Sequence, residues 1–327
     1  MAALLAAVVV VLGAYTRLVD AGLGCPDWPG CYGFFSVPET SENIGVAEAR
    51  FPDAPVEVEK AWAEMVHRYF ATTLGFVILV MAFLSFMARR RAAKQAEFRD
   101  LPVKLPLYLV LLVIVQGAFG AWTVTLKLWP QVVTAHLLGG FTTLSLLFLL
   151  ALRQGLWANI SLPGELKNLA RISLAVLIVQ IALGGWVSSN YAALACGDFP
   201  TCQGELVPEM DLKSGFNLTQ DIGPNYLGGK LHHLGRVAIH FSHRLGALIA
   251  FVLIAWLSLK IWRHHPVLGA ITGATLLVQV GLGISNILFA IPLTVATTHN
   301  AIGAGLLLVL VSVNFFVHRG GREQFIE

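Results

Sequence analysis

Four histidines and one acid–base pair carry the chemistry this sequence can do. His67, His136, His243 and His299 each stand near one end of an apolar run, all toward the same side. An ionisable side chain entering a membrane span is costly and marks a site. Two imidazoles on facing helices, at one depth, can bind a planar metal macrocycle from both faces, and imidazole is a common axial ligand of haem iron. Zinc or copper more often gathers three or four ligands in one place. His232, His233, His264, His265 and His318 fall in loops or the tail and read as solvated.

Glu64 lies three residues before His67, on the same helical face. The residue three before His243 is His240. Two sites built alike therefore differ by a carboxylate against an imidazole. That asymmetry assigns chemistry to the first site and electron carriage to the second. Arg68 and Arg244 directly follow His67 and His243. A guanidinium pairs bidentately with a carboxylate such as a haem propionate; the other reading is an interfacial arginine reaching for lipid headgroups.

The elements that must position these residues are membrane spans. Of 327 residues, 56% are hydrophobic and 13% charged, which excludes an ordinary soluble domain. Eight apolar runs are long enough to cross a bilayer: 2–19, 65–88, 105–125, 132–152, 170–190, 238–259, 267–290 and 294–317. The first lacks a basic n-region and a clear cleavage site, so it reads as a retained span rather than a signal peptide. The net charge is +3, with no basic patch interleaved with aromatics, so no nucleic-acid partner is expected.

Segment 89–104 carries Arg89, Arg90, Arg91, Lys94, Arg99 and Lys104, and Arg153, Lys167, Arg171, Lys260, Arg263, Arg319 and Arg322 share its side. Between Asp20 and Glu64 there are nine carboxylates against Arg50 and Lys60 alone. The positive-inside rule then makes both termini cytoplasmic and turns loops 20–64 and 191–237 outward, with the histidines. Cys25, Cys31, Cys196 and Cys202 all lie in those loops as two C-x5-C pairs. An oxidising exterior favours two local disulfides, structural or redox-active.

The chain repeats itself. At one constant offset, Gly13 returns as Gly184, and Cys25-Pro-Asp27-Trp28-Pro29-Gly30-Cys31 returns as Cys196-Gly-Asp198-Phe199-Pro200-Thr201-Cys202. His67-Arg68 returns as His243-Arg244. Gln116-x-x-x-Gly120 and His136 return, again at a single shared offset, as Gln279-x-x-x-Gly283 and His299. Four spans per half give both halves one orientation, a parallel repeat. The expected fold is all-α and polytopic, with eight transmembrane helices in two pseudo-symmetric four-helix bundles, residues 1–155 and 156–327. The many glycines read as sites of close helix packing.

With these residues in place, the chain resembles the haem A synthase family, in its bacterial, cysteine-containing form. The likeness is carried by Gly13-Ala-Tyr-Thr-Arg-Leu18, Gly24-Cys-Pro-Asp-Trp-Pro-Gly-Cys31, Glu64-Met-Val-His-Arg68, Gln116-Gly-Ala-Phe-Gly120, Thr134-Ala-His136, His243-Arg-Leu245 and Thr298-His-Asn300. It spans all eight runs. It implies an inner-membrane enzyme, with its haem sites near the periplasmic face, that oxidises the C8 methyl of haem O to a formyl group by successive hydroxylations. It further implies His67 and His136 as ligands of the substrate haem, His243 and His299 as ligands of a resident haem b, and Glu64 as the acidic residue beside the substrate. The implied disulfides are Cys25–Cys31 and Cys196–Cys202. Implied partners are the lipid bilayer, a haem O synthase and an electron donor or acceptor, with room for a homo-oligomer.

Three other readings compete. A dihaem quinol-linked cytochrome explains the histidines but gives the Glu64/His240 difference no purpose. A thiol oxidoreductase would call for closer C-x-x-C spacing. A transporter would place its site near the midplane rather than the outer edge.

Overall fold

The computed structural model describes residues 1–92, 104–157 and 159–323. Lys94 and Arg99 of the basic segment lie outside these, as do the side chains of Arg91 and Arg322. Among the described residues the protein is all-helical: α1 (Ala2–Leu18), α2 (Ser41–Arg50), α3 (Val58–Ala92), α4 (Lys104–Thr125), α5 (Pro130–Arg153), α6 (Lys167–Ser189), α7 (Leu212–Gly215), α8 (His233–Trp262), α9 (Pro266–Leu288) and α10 (Leu293–Glu323). The extended pairings there are two isolated bridges, Cys31 with Phe34 and Cys202 with Glu205.

Seven of these helices, α3 to α6 and α8 to α10, are long and apolar enough to cross a membrane. The protein is a multi-pass membrane protein. Helix α1 has 17 residues, about 25 Å at ~1.5 Å per residue, and is shorter than the other seven.

Helix boundaries run past the apolar runs. Helix α3 begins at Val58, two turns before the apolar stretch, because Glu59, Lys60, Ala61 and Glu64 are good helix formers. The segment 20–64 is therefore partly helical, and it also holds α2. That helix starts where Thr40 accepts a hydrogen bond from the Asn43 amide at 3.2 Å, with Glu42 in its first turn and Arg50 in its last, complementing the helix dipole. His232 and His265, expected as plain loop residues, cap α8 and α9 by accepting from Gly235 N at 3.4 Å and Leu268 N at 3.1 Å.

The chain divides into two compact units: residues 1–128 with 135–150, and residues 129–134 with 151–327. In the first, α1 packs on α3 and α3 on α4. In the second, α6, α8, α9 and α10 close a ring, each packed on the next.

Candidate functional site

Each expected ligand stands on a helix and faces a glycine of its neighbour. In the first unit, a Cβ on Gly13 of α1 would lie 2.9 Å from His67 Cε1, and one on Gly120 of α4 would lie 3.6 Å from His136 Cε1. In the second unit, Gly184 of α6 and Gly283 of α9 stand in the same relation to His243 and His299, at 3.2 Å each. A side chain at Gly13, Gly184 or Gly283 would crowd the facing ring, whereas a Cβ at Gly120 would only touch it. Sequence reasoning treated the glycines as packing only; the signal was there, since Gly13/Gly184 and Gly120/Gly283 match across the repeat.

His67 is within electrostatic range of His136, and His243 of His299. All four residues keep part of their surface accessible, while the Nδ1 atoms of His67, His136 and His299 are buried without a hydrogen-bond partner. With Nδ1 shielded, Nε2 is the nitrogen these rings could offer to a bound group. Among the described residues no group of three or more His, Cys, Asp or Glu side chains could hold a metal ion.

Above each pair sits a disulfide loop fastened to the histidine helix. Cys25–Cys31 and Cys196–Cys202 are both bonded. Asp27 accepts from the amides of Tyr32 (2.6 Å) and Gly33 (2.8 Å); Asp198 accepts from Gln203 (2.6 Å) and Gly204 (2.9 Å). The Thr201 hydroxyl, 2.5 Å from Asp198, leads these donors in holding that carboxyl down to about 2. Gly24 presses its backbone against that of Lys60, where a Cβ would meet the carbonyl at 2.6 Å.

The first loop has its own small core of Cys25, Cys31, Tyr32, Val37, Ala47, Ala61 and Met65. Tyr32 is buried, stacks edge-on against Phe51 at 5.8 Å and donates its hydroxyl to Pro55 O at 2.9 Å. Burial, then Glu57 and the other nearby carboxylates, pushes this phenol up to about 12.

Glu64 is buried, at 5% exposure. It accepts the Cys25 amide on Oε2 at 2.9 Å and pairs with Arg68 through Oε1. His240 takes the equivalent role in the second unit, its Nδ1 accepting from the Cys196 amide at 3.4 Å. The two arginines point at loop carbonyls. Arg68 Nη1 donates to Asp27 O (3.0 Å) and Gly30 O (2.5 Å); Arg244 donates to Thr201 O (2.8 Å) and Cys196 O (2.7 Å). Gly30 and Thr201 are repeat partners, so one carbonyl position is gripped twice.

This geometry belongs with the comparisons to known proteins. The model of the COX15-CtaA family, described as cytochrome oxidase assembly protein, matches residues 1–311. The chain belongs to this family. Among relatives of this COX15-CtaA chain, a haem A synthase of Shewanella oneidensis is 45% identical over 314 residues, 94% of this chain and 92% of the relative. Haem A synthases of Nitrosospira multiformis and a Caulobacter species are 30% and 28% identical, each over at least 94% of this chain and 90% of their own length.

Proposed function

We propose that this chain is a haem A synthase, taking haem O as substrate and yielding haem A. The observation that carries the reading is the histidine pair of the first unit set beside a buried carboxylate, in a chain 45% identical to a haem A synthase over nearly its whole length. His67 and His136 hold the iron of the substrate haem, and His243 and His299 hold a resident haem b. Bound haem supplies electron storage and the redox chemistry needed to oxidise a methyl group.

The protein's own residues bind, orient and cover. The glycines opposite each ring give the macrocycle close approach to the helices. Glu64, held by Arg68 and the Cys25 amide, keeps further acceptor capacity on its two oxygens. It takes up a proton or offsets positive charge developing at the substrate carbon. On Arg244 the buried Nε has no partner and remains a donor for a propionate; Arg68 has the same place in the first unit. The loops, clamped by both arginines, exclude water from the sites.

This reading carries α1 as an eighth span, two four-helix halves at residues 1–155 and 156–327, cytoplasmic termini, and haem sites near the periplasmic face of a bacterial inner membrane. A haem O synthase supplies the substrate, and a donor or acceptor exchanges electrons with haem b. The test is co-expression with a haem O synthase followed by mass analysis of extracted haems. A formyl-bearing haem is expected from the intact chain and none from His67→Ala or His136→Ala. Absence of that haem from the intact chain would overturn the assignment.

A further inference from the structure

We propose that Gln180 is a positioning residue that locks His243 in place as a permanent haem ligand, a side-chain device the first unit lacks. The inference rests on the reading of His243 as an axial ligand. Gln180 Nε2 lies 3.0 Å from His243 Nδ1 and donates to the His243 carbonyl, also at 3.0 Å. Of the four candidate ligands, His243 is the one whose Nδ1 has a partner among the described residues; the Nδ1 atoms of the other three are buried without one.

The contact has a built seat. A Cβ on Gly246 would fall 2.4 Å from Gln180 Oε1, so α8 gives up a side chain there to admit the amide. In the register that matches Gly184 with Gly13, the repeat partner of Gln180 is Val9. In the register that matches His243 with His67, the partner of Gly246 is Phe70. Both members of the seat change together between the halves. The first unit puts apolar groups where the second puts an amide and the room to hold it.

A histidine that binds metal through one nitrogen carries its proton on the other and gives it to an acceptor, which fixes the ring and raises its basicity. Gln180 Oε1 is buried without a partner, and the oxygen and nitrogen of an amide exchange places by a half-turn. With Nε2 as the ligating nitrogen, the amide turns Oε1 toward Nδ1–H and exchanges its bond to the His243 carbonyl for one from the ring. The consequence is a ring that holds iron more firmly and favours its oxidised state. That suits a haem that stays through every cycle. His67 meets the Val9 backbone but no side-chain amide, a lighter hold that suits a site that must let its product go.

The test is a redox titration of the full-length protein, purified from a host without a haem O synthase and followed through the haem absorption bands. Gln180→Val is expected to weaken the preference for ferric over ferrous iron about tenfold, an upward shift of ~59 mV for a one-electron couple. Gln180→Glu, a stronger acceptor, is expected to shift the potential downward. Opposite shifts from the two variants are not the mark of a merely structural residue. If Gln180→Val does not fold, Gln180→Glu decides alone. A potential unmoved in the folded variants, with haem retained, overturns the proposal while leaving the haem assignment standing. A haem spectrum unchanged by His243→Ala would instead remove the assignment itself.

Discussion

The two histidine sites share their rings and differ in what surrounds them. Each pair faces glycines from the neighbouring helices, and each lies below a disulfide loop gripped by the arginine after the first ligand. Beside His67 stand a buried carboxylate paired with an arginine, a valine and a phenylalanine; at the matching places beside His243 stand an imidazole, a glutamine and a glycine. The repeated sequence keeps the glycines and histidines and redistributes the polar groups around them. On the proposed reading, the first site keeps a paired carboxylate near the substrate haem and leaves its ligand without a side-chain hold, while the second replaces the carboxylate and ties its ligand down.

Exchanging the residues that differ is the sharpest way to break this comparison. Glu64→His gives the first site the residue of the second while keeping an acceptor for the Cys25 amide. It should therefore retain the loop and the bound haem but lose turnover by about 10²–10⁴-fold, the usual scale for a positioned acid or base. The companion change at the matching place, His240→Gln, should leave turnover within severalfold of the parent. Conversion of haem O, measured by mass analysis, reads both. Full turnover in Glu64→His would leave Glu64 with a structural role alone.

A second contrast separates the arginines. Removing Arg68 strands a buried carboxylate as well as loop carbonyls, and breaking a buried pair in this way costs about 3–5 kcal/mol. Arg244→Ala removes hydrogen bonds to carbonyls but strands no carboxylate, at about 1–3 kcal/mol. Thermal unfolding in detergent should rank Arg68→Ala below Arg244→Ala. The reverse order would mean that the Glu64–Arg68 pair contributes little.

Much of this was legible in the chain because the repeat aligns residues of like role. The histidines, the cysteine pairs and the Glu64/His240 difference all stand at matched offsets, and polar groups in apolar runs are conspicuous. Gln180 and Gly246 were missed for a physical reason. Their importance lies in a contact between helices, and neither residue type signals it alone. Comparing Val9 with Gln180 and Phe70 with Gly246 would have raised it. The arginines were expected to meet propionates or lipid headgroups, and their loop-carbonyl partners were not foreseen, since a guanidinium's acceptors are fixed by the loop's folded path. Helix starts were set too late because hydropathy ends at the membrane while helix propensity does not.

The loops offer smaller tests. Each disulfide closes a loop of the same length, so the chain-entropy argument assigns both about 2 kcal/mol. Cys25→Ser with Cys31→Ser, and Cys196→Ser with Cys202→Ser, should destabilise their own loops by similar amounts, read by amide exchange at Gly33 and Gly204. A larger loss on one side would locate a redox or folding role there.

The finest contrast lies at Tyr32, whose repeat partner is the polar Gln203. Tyr32→Phe removes the bond to Pro55 O and should cost about 1 kcal/mol. Raising the pH tests the same residue without mutation. The folded phenol titrates near 12 against an ordinary value of 10.0, so its contribution is fully present below pH 10 and is lost as pH rises through about 12. Protection at the Tyr32 and Gly33 amides, taken relative to the intrinsic base-catalysed exchange rate, should fall across that window. Protection at the Gln203 and Gly204 amides should not follow, because the second loop has no phenol at the matching place. Tyr32→Phe should abolish the difference between the loops, and if it persists in that variant, the alkaline opening belongs to another group.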